Sequence, residues 1–215
     1  MDIQFLLDKF PVMLTSCIMT IELTVLSLLF GTIIAVIIAL CRISSIVYVN
    51  SIAKFYLWIF RGTPLILQLF ALYYAFPTFG IELSPYSAAI IGLSLNCSAY
   101  MAEIIRGGII SIPKGQFEAS NVLGLNYSQT MFSVVLPQTC RNILPAVGNQ
   151  FIGMLKDTSL VSTIAMVELM RTAQAIGSST FRYGEVYLSA AILYLLMTSI
   201  FSLAFNKIER KLDKY

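Results

Sequence analysis

Long charge-free runs alternate with short polar segments along this chain of 215 residues. Four runs are long enough to cross about 30 Å of hydrocarbon as helices, and they cover residues 23–41, 62–81, 83–102 and 186–206. A fifth run, 142–167, is interrupted by Pro145 and by the charged pair Lys156 and Asp157. Because charges facing lipid are unfavourable, this segment should face protein or a water-filled path. The pattern predicts an all-α integral membrane protein with about five transmembrane helices.

Composition supports the membrane class. Apolar residues make up 58% of the chain and charged residues 12%, and the mean hydropathy is +0.82. A soluble domain is normally about one quarter charged. The sequence shows no linker, low-complexity tract or convincing internal repeat, so we predict that residues 1–215 form one transmembrane domain.

Residue usage excludes several chemistries. The chain has no histidine, which excludes histidine-ligated metal and histidine-dependent nucleophilic catalysis. It has no G-x-x-x-x-G-K-[ST] loop to hold ATP phosphates, so we expect no cofactor on this chain and an energy source elsewhere. The four cysteines form no C-x-x-C pair and are predicted to be small buried hydrophobic residues. They are Cys17, Cys41, Cys97 and Cys140.

The distribution of Lys and Arg predicts the orientation in the membrane. If the N-terminus lies outside, the segments after the first, third and fifth spans are cytoplasmic and hold nine of the fourteen basic residues. These nine are Arg42, Lys54, Arg106, Lys114, Arg141, Lys207, Arg210, Lys211 and Lys214. The opening Met-Asp-Ile-Gln lacks the basic region of a signal peptide, so we expect the first helix to be retained as an anchor. We therefore predict an outside N-terminus and a cytoplasmic C-terminus.

A proline is predicted to break the second span. Pro64 has no N–H, which leaves the carbonyl of Phe60 without its helical partner, and it disfavours the helical conformation at Thr63. Arg61 and Gln68 are seven residues apart and are therefore predicted to share one helix face. An arginine near a helix break suits a substrate carboxylate. The alternative is an arginine that reaches toward lipid headgroups at the membrane edge.

Polar residues on the third span form one stripe. Asn96, Tyr100, Glu103 and Gly107 follow a spacing of i, i+4, i+7 and i+11. Such a stripe marks either a pore wall or hydrogen bonds between helices. Glu103 is expected to form an ion pair with Arg106 at the cytoplasmic edge.

The fourth span carries Gln150 and Asp157 seven residues apart on one face, with Gly153 between them. Gly153 permits the close approach of a ligand, and Asp157 could neutralise a substrate ammonium group. Lys156 is predicted to point elsewhere. Plain hydrogen bonding between helices remains the alternative to a substrate site.

A polar segment between the third and fourth spans resembles a known docking signature. It runs E-A-S-N-V-L-G-L-N-Y-S-Q-T-M-F-S-V-V-L-P from Glu118 to Pro137. The sequence is similar to the E-A-A, three residues, Gly, nine residues, Ile-x-Leu-Pro signature of permease subunits of ABC importers, with Ser120 and Val134 as departures. The R-G-T-P-L run at 61–65, the stretch 99–119 and the K-D-T-S-L run at 156–160 extend this resemblance to the polar amino acid branch of the family.

The resemblance implies a type I ABC importer permease fold with a cytoplasmic coupling loop at about 112–138. The coupling residues that it implies are Lys114, Gly115, Glu118, Ala119, Gly124, Leu136 and Pro137. A helix over about 114–125 would transmit the movement of the ATPases. Glu118 is expected near its N-terminus, where a carboxylate complements the helix dipole, and Gly124 at its end in a left-handed conformation. Pro137 is expected where the fourth span begins.

The predicted substrate site combines the polar residues of three spans with the motif segments. The candidate substrate-binding residues are Arg61, Thr63, Gln68, Asn96, Tyr100, Gln150, Asp157 and Ser159. The resemblance favours cystine, and glutamine or another polar amino acid comes next. A basic amino acid would require more carboxylates on the path, and Gln150 is neutral.

The resemblance also implies the partners. They are an ABC ATPase dimer that uses ATP and Mg, a second identical or homologous permease subunit and an extracytoplasmic binding protein, all at a bacterial plasma membrane. We expect contact with membrane lipid and no nucleic acid. The alternatives are an ATP-independent channel, which would need no docking loop, and an intramembrane enzyme, for which Glu103 and Asp157 lie on different spans.

Overall fold

The computed structural model describes residues 3–212, and within this range the chain folds into nine α-helices joined by short π and 3-10 segments. The helices are α1 (Ile3–Ile43), α2 (Val47–Gly62), α3 (Leu65–Phe70), α4 (Pro85–Ile110), α5 (Lys114–Val122), α6 (Tyr127–Thr130), α7 (Leu136–Asp157), α8 (Leu169–Thr180) and α9 (Tyr183–Leu212). The predicted all-helical class is confirmed. Lys214, one of the nine basic residues used for orientation, lies outside the described residues.

Three of the described helices are long and apolar enough to cross a membrane, and they cover Asp8–Ile43, Pro85–Ile110 and Tyr183–Lys211. A fourth candidate is the pair Val47–Gly62 and Leu65–Phe79, whose two helices are bent by 102°. Helix α7 has 22 residues and a length of about 33 Å, but its polar side chains keep it out of this apolar set. The number of long elements is thus roughly that predicted.

The second span differs from the prediction in its boundaries. Gly62, the first residue of the predicted charge-free run, is the last residue of α2, which begins already at Val47 and includes Lys54. The predicted break is present, because Thr63 has an extended backbone with φ −116° and ψ 144° and α3 begins after Pro64. Arg61 and Gln68 lie on opposite sides of the bend and therefore do not share a helix face, which corrects the spacing argument.

Small residues allow α1 to pack closely against α4. A Cβ added at Gly31 would lie 3.0 Å from the Cβ of Cys97 and 3.1 Å from the carbonyl oxygen of Ser94. Ala35, Ala39, Ala99 and Ala102 continue this contact in one buried cluster. Small side chains bring helix backbones together where the hydrophobic effect between lipid-embedded helices is weak. Helices α1 and α4 therefore form a closely packed pair within the bundle.

Prolines follow two π-turns in the described chain. In the first, the N–H of Phe76 donates to the carbonyl of Ala71, and Pro77 comes next. In the second, the N–H of Leu136 donates to the carbonyl of Met131, and Pro137 comes next. A π-turn widens the helix, which accommodates a ring that would otherwise clash with a carbonyl of the preceding turn. Helix α7 begins at Leu136, so Pro137 lies where the fourth span begins, as predicted, and the second π-turn leads into it from α6.

Cysteine burial agrees with the prediction only in part. All four cysteines are free, and Cys17 and Cys97 are buried, whereas Cys41 is half-buried and Cys140 is exposed. Cys140 lies on the outer face of the described α7, where no neighbouring helix covers it. The prediction of small buried residues is therefore wrong for Cys140.

Candidate functional site

The break between α2 and α3 is stabilised by two side-chain amides. Gln68 Nε2 donates to the carbonyl oxygen of Phe60 at 3.0 Å, and Asn96 Nδ2 donates to the same oxygen at 3.1 Å. Gln68 Nε2 also donates to the carbonyl of Thr63, and its Oε1 accepts from Asn96 at 3.1 Å. The carbonyl that Pro64 leaves without a helical partner is thus satisfied from α3 and α4. A buried polar group without such partners would be costly.

A cleft of about 440 Å³, here called the central cleft, lies beside this break and is bounded by α2, α3, α4 and α7. Its lining consists of Arg61, Gly62, Thr63, Pro64, Leu65, Asn96, Tyr100, Gln150, Gly153 and Asp157. Six of the eight predicted substrate residues therefore line one space, although they come from three separate segments. The spacing of Gln150, Gly153 and Asp157 on one face of α7 explains why these three enter it together.

The lining of the central cleft contains one positive and one negative side chain, Arg61 and Asp157. The guanidinium carbon of Arg61 lies 5.4 Å from the centre of the Tyr100 ring, a cation–π arrangement that orients the cation. Asp157 lines the same cleft from α7 and is only partly buried. A Cβ added at Gly153 would meet no atom within 4 Å, so the chain leaves open space there. A cation, a carboxylate and open space between helices are what a small zwitterion requires.

Two predicted substrate residues lie elsewhere. Gln68 is absent from the lining of the central cleft, and its amide is engaged at the helix break. Ser159 lines a separate, mainly apolar cavity together with Lys156 and Tyr194, and its hydroxyl donates to the carbonyl of Lys156. Lys156 therefore points away from the central cleft, as expected. Gly62 and Leu65 line the cleft but were not among the candidates, although their place next to Pro64 was an available signal.

Glu103 forms the ion pair that the sequence predicts. Arg106 Nη2 lies 2.8 Å from Glu103 Oε2, and Arg42 Nε lies 3.5 Å from Glu103 Oε1. Within the polar stripe, Asn96 is buried and bonded between segments, whereas Tyr100 faces the central cleft. The stripe therefore contains an interhelical hydrogen bond at Asn96 and a side chain that lines the cleft at Tyr100.

The coupling segment contains a short helix with a glycine after it. Helix α5 ends at Val122, and Gly124 has φ +75°, the left-handed conformation that was predicted for it. Glu118 is the fifth residue of α5, and the first turn contains no acidic residue, so the predicted dipole role of Glu118 is wrong. The side chains of Lys114, Glu118 and Ala119 are exposed, whereas Ser120 is buried and bonds back to the carbonyl of Gln116.

Large apolar side chains are exposed around α5. They are Val122, Leu123, Tyr127 and Phe132, each at least 71% exposed. A patch of this kind on a short polar segment marks an interaction surface. The sequence motif drew attention to Glu118 and Gly124, but not to these exposed apolar residues.

Comparison with known proteins agrees with this architecture. A chain in the crystal structure of an amino acid ABC transporter with histidines has the same fold, with a TM-score of 0.93, 39% identity and coverage of 98% of this chain and 99% of that chain. The fold class is therefore that of an ABC importer permease. The chain belongs to the family of binding-protein-dependent transport system inner membrane components, whose pattern matches residues 27–214.

Curated relatives cover nearly the whole chain. It is 43% identical over 206 residues to the L-cystine transport system permease protein TcyB of Bacillus subtilis (strain 168). The matched region covers 95% of this chain and 88% of that protein. The chain is 37% identical over 213 residues to the arginine transport system permease protein ArtQ of the same organism, with 99% and 97% covered. Relatives of similar identity thus carry names with different substrates.

Proposed function

We propose that this chain is the permease subunit of an ATP-driven importer of a polar amino acid, with cystine as the favoured substrate and glutamine or another polar amino acid next. The observation that carries this proposal is the presence of Arg61 and Asp157 in one cleft between helices. The name of the curated relative with 43% identity supports cystine. Arginine is less suited, because Gln150 supplies no second carboxylate.

The cleft would hold the two charges that all α-amino acids share. Arg61 would bind the substrate carboxylate, and Asp157 would bind the ammonium group. Thr63, Tyr100 and Gln150 would complete the polar lining, and Asn96 would hold the α2–α3 junction in place through the carbonyl of Phe60. Gln68 would act through the same junction and not by touching substrate.

Energy would come from a separate ATPase dimer that binds ATP and Mg. The segment that carries Lys114, Gly115, Glu118, Ala119, Gly124, Leu136 and Pro137 would dock on it through the exposed apolar residues around α5. The full assembly would contain a second permease subunit and an extracytoplasmic binding protein. In the plasma membrane of a bacterium, the N-terminus would lie outside and the C-terminus in the cytoplasm, and the bundle would alternate between outward and inward access.

Uptake assays on the assembled transporter test the site. Arg61→Gln and Asp157→Asn should each weaken apparent affinity by about 2 kcal/mol, roughly thirty-fold, because one ligand charge would lose its partner. The expected loss is no larger than this because Arg61 is exposed in the cleft. Lys156→Gln is the matched control, since this neighbour of Asp157 faces away from the central cleft.

Wild-type affinity and selectivity in both cleft variants, with the complex assembled, would contradict the substrate role. Flux of amino acid without ATP would instead support the channel alternative. Chemical conversion of a substrate by the purified chain in the absence of ATPase would support the enzyme alternative. A panel of labelled amino acids in the same assay identifies the substrate.

A further inference from the structure

A second cleft, with a basic lining, lies next to the central cleft. This basic cleft has a volume of about 370 Å³ and is lined by Arg42, Lys54, Leu57, Trp58, Arg61, Gly62 and Glu103. Lys54, Leu57, Trp58 and Arg61 follow i, i+3, i+4 and i+7 along α2 and therefore share one helix face. Arg42 approaches from the end of α1, and Glu103 from α4.

The charge of the basic cleft is unbalanced. Three cations line it, and its one carboxylate, Glu103, is already bound by Arg106 at 2.8 Å, which is a fourth cation beside the cleft. Arg42 is held in place by a 2.8 Å bond from its Nη1 to Asn50 Oδ1, and its Nε lies 3.5 Å from Glu103 Oε1, so this one carboxylate is shared between Arg42 and Arg106. An anion that enters the cleft would therefore meet preformed donors.

The surroundings of the basic cleft are apolar and exposed. Tyr48, Ile52, Phe55 and Trp58 are each at least 60% exposed along the outer face of α2. Arg42 is one residue from the end of α1, and Glu103 lies in the last turns of α4, shortly before α5 begins. The cleft is thus at the end of the bundle that carries the coupling segment. Aromatic residues beside cations are typical of the level of the lipid headgroups.

We propose that the basic cleft binds the headgroup phosphate of an anionic phospholipid, with the acyl chains lying along the exposed apolar face of α2. The charge of the cleft selects the anionic headgroup, and the adjoining apolar stripe selects a lipid over a soluble anion. Arg61 lines both clefts, so the bound headgroup lies directly beside the central cleft. The lipid site shares Arg61 with the central cleft, but its occupancy is tested without substrate transport.

The only tryptophan of the chain reports on this site. Trp58 lines the basic cleft and is 71% exposed, and the sequence of 215 residues contains no other tryptophan. The full-length chain is reconstituted in phosphatidylcholine bilayers that contain brominated phosphatidylglycerol or, at the same mole fraction, brominated phosphatidylcholine. Bromine quenches Trp58 fluorescence on contact. We expect the anionic lipid to quench at several-fold lower mole fraction than the zwitterionic lipid.

Charge variants localise the effect. Lys54→Gln should reduce the preference for the anionic lipid by about five-fold, because this is the size of the attraction between one Lys and an anionic lipid surface. Lys54→Arg should retain it. Lys207→Gln, an exposed cation at the far end of the chain, is the matched control and should leave it unchanged. Lys54 is exposed, so its replacement leaves the packed core intact.

Three results would overturn the proposal. The first is equal quenching by the two brominated lipids. The second is an equal loss of preference in Lys54→Gln and Lys207→Gln, which would show a general surface potential and no local site. The third is removal of the preference by millimolar inorganic phosphate, which would identify a free anion as the ligand in place of the headgroup.

Discussion

Individual side chains in the central cleft determine which charges a ligand can bring into it. Arg61 and Asp157 supply one charge of each sign, and the remaining polar groups of the lining are neutral. Gln150 lies on the same face of α7 as Asp157, and it precedes Gly153 by about one helical turn. Under the proposed function, the charge at position 150 is therefore the simplest way to change selectivity.

Gln150→Glu should shift the preference of the assembled transporter toward cationic amino acids, by about ten-fold relative to neutral ones. The physical reason is that the cleft would then offer two carboxylates, and a close charge pair in such a site is worth a kcal/mol or more. Competition of arginine and cystine for labelled uptake measures the shift. Asn149→Asp adds the same charge one residue away, on a face that lines a different cavity, and should not change selectivity. Equal shifts in both variants would argue against a role for Gln150 in the cleft.

Single residues shape several helix breaks and helix ends. The α2–α3 break depends on Pro64 and on the amides of Gln68 and Asn96. The end of α5 depends on the left-handed backbone of Gly124. Helix α8 depends on Glu168, which caps its N-terminus while fully buried. Each of these residues acts through the position of an element.

Gly124→Val should reduce ATP-driven uptake several-fold and weaken association with the ATPase. The reason is backbone strain, because a β-branched residue disfavours φ +75° and would change the path of the chain after α5. Steric crowding within this chain is not the reason, since an added Cβ meets no atom within 4 Å. Co-purification of the ATPase and uptake measure the effect. Gly124→Asn tolerates the left-handed conformation and should retain most activity. Normal uptake by Gly124→Val would count against the docking role.

Glu168→Ala should lower the free energy of unfolding by about 1–3 kcal/mol, the cost of leaving buried donors unsatisfied. Glu168 Oε2 accepts from Tyr194 at 2.8 Å and from Thr20 at 3.4 Å, and Oε1 accepts from the N–H of Arg171 at 2.8 Å. These bonds join α8 to α1 and α9. Thermal unfolding is followed in detergent by thiol labelling of the buried residues Cys17 and Cys97.

Glu82→Ala is the matched control for this measurement, because Glu82 is exposed between α3 and α4. It removes the same charge and the same atoms without exposing buried donors. An unchanged unfolding temperature in Glu168→Ala would mean that the buried carboxylate does not hold the three helices together.

Basic residues are distributed unevenly between the two ends of the molecule. Seven of the fourteen basic residues lie in the coupling segment, the basic cleft or the end of α9. The central cleft lies deeper, beside the α2–α3 break. This arrangement is the basis for the predicted orientation, with the coupling segment toward the cytoplasm.

Cysteine labelling tests the orientation. In a background without the four native cysteines, a membrane-impermeant thiol reagent added from outside should modify Glu82→Cys and spare Lys114→Cys and Lys211→Cys. All three positions are exposed, so accessibility within the chain does not limit labelling. Permeabilised cells, in which all three positions should react, provide the control. Labelling of position 114 from outside in intact cells would show that the orientation is reversed.

Much of the central cleft was predictable because its residues follow local rules. Gln150, Gly153 and Asp157 share a helix face by spacing alone. Pro64 predicts the helix break because it has no N–H to donate. The predicted shared face of Arg61 and Gln68 is wrong, because a bend of 102° removes the helical register on which the spacing argument relied. Ser159 lines a separate cavity, because it follows α7 in a 3-10 segment where the register of the α-helix no longer holds.

The sequence by itself determined the membrane class, the long helices, the helix break and the left-handed glycine, because each follows from hydrophobic length or from the backbone chemistry of one residue type. Only the tertiary structure decided which polar residues meet. Asn96 and Gln68 converge on the carbonyl of Phe60, and Arg61 comes to lie between two clefts, through packing of α1, α2, α4 and α7. Contacts between segments far apart in the chain depend on crossing angles and bends, which hydrophobic periodicity does not specify.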